Sequence, residues 1–121
     1  MTFSIVAVDR QAEEVGFAIA SCNWDARRVC MARAETGAIA SQGSGNQDLL
    51  PRFFEKLGAG QEPGAILDGF RASDEGIEKR QVGLISFDGT GAAHTGAACM
   101  PWAGHRIGDG YTCQGNILAG P

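Results

Sequence analysis

Three side chains of this sequence together supply the groups that cleavage of an amide bond requires. Thr2 follows Met1 directly. Once Met1 is removed, the α-amine of Thr2 can take the proton of its own hydroxyl, so that one residue is both nucleophile and base. His94 can transfer a proton near neutral pH, and the side-chain amide of Asn116 can stabilise an oxyanion. We therefore predict that Thr2, His94 and Asn116 converge on one cleft.

Each of these residues also has a purely structural interpretation. Thr2 is β-branched and can simply begin a strand, and with Met1 in place its amine is acylated and cannot act as a base. His94 can be held by a backbone carbonyl on a half-buried strand. Asn116 can bond its own backbone in a turn. His105, which lies in a glycine-flanked loop, is interpreted as a surface or loop-anchoring histidine.

Other familiar catalytic motifs are missing from the sequence. Ser21 and Ser41 lie at strand ends, where each is either a cleft hydroxyl or a turn residue. The GSG at 43–45 lacks the spacing of the serine-hydrolase motif G-x-S-x-G. The GTG at 89–91 lacks the third glycine and the following helix of a dinucleotide-binding loop. We therefore expect no cofactor.

The cysteines do not have the spacing of a metal site. They are Cys22, Cys30, Cys99 and Cys113, and no Cys-x-x-Cys occurs among them. A zinc site is therefore not expected. Because the N-terminus lacks the basic and apolar segments of a secretory signal, we expect reduced thiols in a cytoplasmic protein.

Length and charge restrict the class of partner. The chain has 121 residues, with 10 Lys and Arg against 14 Asp and Glu and a net charge of −4. This length fits one domain over residues 1–121. The acidic balance argues against a nucleic-acid partner, and no apolar run reaches the roughly 18 residues that span a bilayer. A small-molecule amide substrate is the partner that we expect, with neither nucleic acid nor membrane.

The candidate residues must be positioned by strands and two short helices. Apolar runs predict a hairpin of strands over 2–8 and 15–21, both apolar on both faces and hence buried on both sides. Asp88-Gly89 predicts a tight hairpin turn. Further strands are predicted over 37–42, 81–87, 90–98 and 112–118, and residues 28–34 are either a strand or a helical turn. Helices are predicted over 51–58 and 63–73, and a loop over 100–111. This order predicts an α+β fold, an antiparallel layered sandwich.

Several segments of the sequence resemble one bacterial family. The opening MTFSIVA, the segment AAHTGAAC followed shortly by WAGH, and QGNILAGP near the end resemble the uncharacterised family called domain of unknown function 1028. The likeness extends over essentially the whole chain but covers only the N-terminal half of the longer family. It implies the N-terminal-nucleophile hydrolase fold, a four-layer αββα sandwich, which agrees with the predicted elements. The family contributes no settled biochemical activity.

The residues and the resemblance lead to one expected function and one alternative. We expect an N-terminal-nucleophile hydrolase that cleaves a carbon–nitrogen amide bond of a small substrate, with Thr2, His94 and Asn116 as catalytic residues. The alternative is a non-catalytic or degenerate member that acts as a ligand-binding or assembly subunit. Because half of a sandwich leaves a sheet edge and an apolar face uncovered, we also expect a homo-oligomer or a complementing second chain.

Overall fold

Eight strands and two α-helices make up the fold in the computed structural model, which describes residues 1–121. The helices are α1 (Leu49–Gly58) and α2 (Pro63–Ser73), and short 3-10 helices cover Ala26–Val29 and Ile77–Lys79. The strands are β1 (Thr2–Asp9), β2 (Glu14–Ser21), β3 (Cys30–Arg33), β4 (Gly37–Gly43), β5 (Arg80–Ser86), β6 (Gly91–Thr95), β7 (Gly104–Gly108) and β8 (Tyr111–Asn116). Neither helix is long and apolar enough to cross a membrane.

The strands form two antiparallel sheets that pack face to face. The first sheet has the strand order β2-β1-β8-β7, and the second has the order β3-β4-β5-β6. The two helices pack on the face of the second sheet that points away from the first. The chain is therefore an α+β sandwich of three layers, helices on sheet on sheet. This confirms the predicted α+β antiparallel sandwich, with three of the four layers that the resemblance implies.

The larger of the two hydrophobic clusters lies between the helices and the second sheet. Phe53 and Phe70 reach into it from α1 and α2, and both side chains are fully buried. Ile39 and Leu84 meet them from β4 and β5. Burial of a side chain of this size stabilises the fold by about 1.5–3 kcal/mol, so the helical layer is held mainly by this cluster.

A smaller hydrophobic cluster lies between the two sheets, at one end of the space that they enclose. Val6 of the first sheet packs there against Ala38, Ala40 and Ile85 of the second, together with Cys30. Removal from water raises the pKa of the Cys30 thiol to about 12, because a buried thiolate would lack solvation. This end of the space is lined by apolar side chains.

Most of the predicted elements are present. The hairpin of β1 and β2 has the register Thr2↔Ser21, and Gly89 turns the chain between β5 and β6 with φ +93°. The helix predicted over 51–58 begins at Leu49, and α2 has the predicted bounds. Strand β7 was not predicted, because its segment GHRIG is an edge strand that carries no apolar run.

One prediction about burial is wrong. Strands β1 and β2 are not covered on both faces, because the outer face of the first sheet has no layer above it. Phe3 and Ile5 on that face are 49% and 37% exposed. The doubly covered strands are β4 and β5, whose residues are almost all buried.

Candidate functional site

Two of the three predicted site residues lie side by side in the first sheet. Strand β1 runs between β2 and β8, and Thr2 is opposite Ser21 on one side and Asn116 on the other. The Thr2 hydroxyl is 2.8 Å from the Ser21 hydroxyl. Because side chains alternate along a strand, Thr2 is on the same face as Ser4, which points towards the second sheet.

The side chain of Asn116 is buried beside this threonine. Its Nδ2 donates to Oε1 of Gln81 in the second sheet, at 3.0 Å, and only 5% of the residue is exposed. An amide nitrogen carries two protons, and the second one bonds no protein group. Asn116 is therefore held by Gln81 and keeps one N–H that no protein group accepts.

A buried network of amide side chains connects the two sheets behind Asn116. This glutamine network consists of Ser4, Gln42, Gln81, Gln114 and Asn116. Ser4 donates to Gln42 at 2.6 Å and accepts from Gln114 at 2.6 Å, and Gln42 donates to Gln81 at 2.9 Å. No buried side-chain nitrogen or oxygen lacks a partner, so each polar atom of the network that is buried has at least one hydrogen bond.

A glycine in β5 makes room for this network. A Cβ atom on Gly83 would overlap Oε1 of Gln114 and lie 2.7 Å from the hydroxyl of Thr112. Real Cβ atoms do not approach oxygens this closely, so any larger residue would displace Gln114. Gly83 is thus required by the polar side chains of the facing sheet.

His105 is joined to the same network. Its Nδ1 is 2.9 Å from the hydroxyl of Thr95, and that hydroxyl accepts from Nε2 of Gln81 at 3.1 Å. Removal from water lowers the pKa of His105, and the charges of His94 and Arg106 lower it further.

His94 lies on the other side of the second sheet. It pairs with Val82, whose side chain is in the cluster beneath the helices, and its Nε2 is 3.3 Å from the carbonyl of Ile77. The predicted convergence is therefore wrong for this residue, because the sheet itself separates His94 from Thr2 and Asn116. The reason is strand alternation, which points His94 and its neighbour Thr95 to opposite faces.

The two candidate serines also have different positions. Ser21 is part of the Thr2 site, whereas the Ser41 hydroxyl is fully buried and accepts from the backbone of Asn46. Ser41 therefore holds the loop that follows β4. The same loop is anchored by Arg80 and Asp74, a largely buried ion pair at 2.8 Å. The hydrogen bond from Arg80 is the main reason that the pKa of Asp74 is lowered.

The N-terminal residue lies beside a thiol. The α-amine of Met1 is 3.8 Å from the sulfur of the exposed Cys22, and the carbonyl of Met1 accepts from the Cys22 amide. Met1 acylates the nitrogen of Thr2 in this structure, so the threonine has no free amine here. All four cysteines have free thiols.

The sequence analysis missed the glutamines and misplaced His105. A usable signal was present, because Gln42, Gln81 and Gln114 each lie within or next to a strand-like apolar segment. A long polar side chain in a buried strand requires a hydrogen-bond partner, and three of them on three strands predict a shared network. The sequence contained no signal for the position of His105, because β7 was predicted as a loop.

Comparison with known proteins identifies a family and a similar solved structure. Residues 2–121 match the model of a family of unknown function, DUF1028. The crystal structure of protein SPO2555 from Silicibacter pomeroyi, a DUF1028 protein, is similar with a TM-score of 0.91 and 26% sequence identity. The match covers 97% of this chain and 53% of that one, so this chain spans about half the length of its structural relative. No curated protein matches the sequence.

Proposed function

The chain belongs to the DUF1028 family, and we propose that it is an N-terminal-nucleophile hydrolase that cleaves an amide bond with Thr2 as nucleophile. The observation that carries the proposal is the position of Thr2, which begins the central strand β1 between Ser21 and Asn116. The hydroxyl is half-buried and lies at the edge of a polar interior. An N-terminal-nucleophile fold and a small amide substrate are parts of the same proposal.

The first chemical step would use the α-amine of Thr2 after Met1 has been removed. An α-amine has a pKa of roughly 8, so part of it is neutral near pH 7 and can accept the hydroxyl proton. The oxygen of Thr2 then attacks the carbonyl carbon of the substrate. The N–H of Asn116 that Gln81 does not accept would stabilise the negative oxygen that forms.

The second step would release the amine half of the substrate and then the acid. The ammonium of Thr2 returns its proton to the leaving nitrogen as the carbon–nitrogen bond breaks, which leaves an ester on the Thr2 oxygen. A water molecule, deprotonated by the same amine, attacks this ester and releases the carboxylic acid. No histidine is needed, which agrees with the position of His94 behind the second sheet.

The alternative is a non-catalytic ligand-binding or assembly subunit, in which Met1 stays on the chain. With Met1 in place, the nitrogen of Thr2 is an amide and cannot serve as a base. The two functions therefore differ in whether Thr2 has a free amine and an activated hydroxyl.

Labelling with a β-lactone tests the proposal without knowledge of the substrate. An activated hydroxyl opens the lactone ring and keeps the whole reagent as an ester. We expect one label on Thr2 of the protein that lacks Met1, retention of the label in Thr2→Ser, and its loss in the isosteric Thr2→Val. Peptide mass spectrometry locates the label.

Two controls make the labelling decisive. Cys22→Ser removes the exposed thiol nearest the N-terminus and should leave the label on Thr2. Protein that retains Met1 should not react at Thr2, because it has no free amine there. Equal labelling of Thr2→Val, or no labelling of the protein that begins at Thr2, would contradict the proposed function.

A further inference from the structure

The hydroxyl of Ser21, the last residue of β2, has three polar neighbours. Its oxygen lies 2.8 Å from the hydroxyl oxygen of Thr2 on the neighbouring strand. It also lies 3.4 Å from the carbonyl oxygen of Met1 and 3.1 Å from the backbone nitrogen of Asn23. Ser21 is therefore in contact with the proposed nucleophile and with the carbonyl that blocks the proposed base.

The chemistry of these neighbours sets the direction of the hydrogen bonds. A backbone N–H only donates and a carbonyl only accepts, whereas a hydroxyl has one proton to donate and two lone pairs that accept. For all three contacts to be hydrogen bonds, Ser21 must accept from Asn23 and donate to the Met1 carbonyl. The remaining lone pair of Ser21 then accepts the proton of the Thr2 hydroxyl. In this arrangement the proton of the proposed nucleophile points at Ser21.

The sheet and a turn hold Ser21 in this position. Ser21 is directly opposite Thr2 in the pairing of β1 with β2, and side chains directly opposite each other on antiparallel strands lie on one face within reach of each other. The Asn23 amide bonds the Ser21 hydroxyl from two residues further on, a local turn that serine commonly forms. The two hydroxyls therefore meet without any rearrangement of the chain.

Direct transfer of a proton within Thr2 has a poor geometry. The nitrogen and the hydroxyl oxygen of one threonine are joined through only two carbon atoms, so a hydrogen bond between them closes a five-membered ring and is strongly bent. Hydrogen bonds weaken steeply when the angle at the hydrogen falls below about 120°. A second hydroxyl that bridges the two groups allows each proton to move along a straighter path.

We propose that Ser21 is a catalytic residue that relays the proton of the Thr2 hydroxyl to the Thr2 α-amine, an inference that rests on the proposed function. In the chain without Met1, the nitrogen that carried the Met1 carbonyl is free and accepts the proton that Ser21 otherwise donates to that carbonyl. The Thr2 proton moves to the Ser21 oxygen as the Ser21 proton moves to the amine. Ser21 is a neutral hydroxyl before and after this step. The amine becomes an ammonium, and the Thr2 oxygen forms its bond to the carbonyl carbon of the substrate.

Ser41 in the second sheet provides a matched control. It lies near the end of β4 and, like Ser21, accepts a hydrogen bond from the backbone N–H of a loop, that of Asn46 at 3.0 Å. It is opposite Val82, whose side chain lies beneath the helices, so the Ser41 hydroxyl is on the face that points away from Thr2. Replacement of either serine by alanine removes the acceptor of a loop amide, but only Ser21→Ala removes a contact with Thr2.

The rate at which a β-lactone labels Thr2 tests the relay. The rate is measured on protein that begins at Thr2 and is expressed per folded molecule, with the folded fraction taken from circular dichroism. We expect Ser21→Ala to lower the rate at least about tenfold, because a positioned proton-transfer group contributes about a hundredfold or more. Ser21→Thr keeps the hydroxyl and should restore most of the rate. Ser41→Ala should react at the wild-type rate.

A second measurement needs no variant. The relay moves two protons in one step, whereas direct transfer from the Thr2 hydroxyl to its amine moves one. In mixtures of H₂O and D₂O, the labelling rate of the wild type should therefore fall along a curve as the deuterium fraction rises. A straight line would show a single moving proton and would overturn the relay, even if Ser21→Ala did not fold.

The outcomes separate the relay from the proposed function. No label on a wild-type chain that begins at Thr2 contradicts the proposed function and the relay with it. A labelled wild type together with Ser21→Ala at the wild-type rate leaves Thr2 as the nucleophile and overturns the relay alone. An equal loss of rate in Ser21→Ala and Ser41→Ala would also overturn the relay, because the effect would then not depend on contact with Thr2.

Discussion

The space between the two sheets has two ends of opposite character. At one end Val6 packs against Ala38 and Ile85, without a polar side chain in the cluster. At the other end Gln42 and Gln81 fill the space with hydrogen-bonded amides. The change occurs along single strands. Towards the polar end, the residues of β1 that face the second sheet are Val6, Ser4 and Thr2 in turn. The residues of β5 that face the first sheet are Ile85, Gly83 and Gln81.

The two ends contribute differently to the protein. The apolar end stabilises the fold in proportion to the area removed from water. The polar end stabilises it less, because each buried amide loses its hydration and regains only an equivalent hydrogen bond. A network of buried amides that are each hydrogen-bonded holds its members in one arrangement. We interpret the polar end as the part of the core that positions Asn116 beside Thr2.

The largest effect is expected from removal of the amide at the centre of the network. Gln81→Leu removes the acceptor of Asn116 and one of the two acceptors of Gln42, and it removes the side-chain donor to the carbonyls of Gly104 and Gly115. At about 1–3 kcal/mol for each buried group left unpaired, the free energy of unfolding should fall by about 3–5 kcal/mol. Urea unfolding measures this change.

A matched substitution on the surface controls for the chemistry of that change. Gln61 is exposed between the helices, and Gln61→Leu should alter stability by less than about 0.5 kcal/mol. If Gln81→Leu changed the free energy of unfolding as little as Gln61→Leu, the polar end would accept an apolar side chain in place of the amide. The two ends would then not differ in how they contribute to stability.

The next largest effect concerns the space that the network needs. Gly83→Ala drives a methyl group into Gln114, and overpacking of this kind costs about 1–3 kcal/mol. Gly69→Ala in α2 meets nothing within 4 Å and should raise stability by about 0.5–1 kcal/mol, because alanine favours helix. Thermal unfolding should therefore show a lower melting temperature for Gly83→Ala and a higher one for Gly69→Ala. A higher melting temperature for both variants would contradict the account.

At the apolar end, a loss of volume should affect stability alone. Ile85→Val removes one methylene from the fully buried cluster and should cost about 1 kcal/mol. The network and Thr2 are unchanged by it, so β-lactone labelling of Thr2 should proceed at the wild-type rate. A large loss of labelling in this variant would show that the two ends are not separate.

The smallest effect is a dependence on pH. Because the pKa of His105 is lowered in the folded protein, the unfolded chain binds a proton at this residue more readily. The contribution of His105 to stability is therefore full above the ordinary histidine pKa near 6.5, and it falls as the pH drops below that value. His105→Asn keeps a hydrogen-bonding group for Thr95 and does not titrate. Between pH 7 and 5.5, the free energy of unfolding should fall less for His105→Asn than for the wild type. The difference between the two losses should be under about 1 kcal/mol, because the side chain of His105 is half-exposed.

Urea midpoints of both proteins at the two pH values provide the measurement. The lowered pKa values of Asp74 and Asp88 act at lower pH, near the ordinary carboxyl pKa of about 4, and do not interfere. Equal losses in wild type and His105→Asn would exclude His105 as the source.

The elements of the fold could be predicted from the sequence because local patterns determine them. The apolar run of β1, the Asp88-Gly89 turn and the proline that begins α2 each act over a few residues. The open outer face of the first sheet could not be predicted, because apolar residues on both faces of a strand do not say whether a layer is present to cover them.

The site could be predicted only where neighbouring strands were correctly placed. Thr2 and Asn116 meet because β1 pairs with β8, and both strands were expected. His94 was expected in the wrong place because its face depends on strand parity, where a shift of one residue reverses inside and outside. The glutamine network depends on contacts between the two sheets, such as Ser4 with Gln42, and sequence separation hides these.

The central claim is that Thr2 acts through a free α-amine, and the intact mass of the protein purified from growing cells tests it most directly. The account predicts a chain that lacks Met1 and begins with an unmodified Thr2, since only this form can use one residue as nucleophile and base. Fragmentation in the mass spectrometer identifies the first residue and any group on its nitrogen. A chain that retains Met1, or that carries an acyl group on the Thr2 nitrogen, would contradict the mechanism.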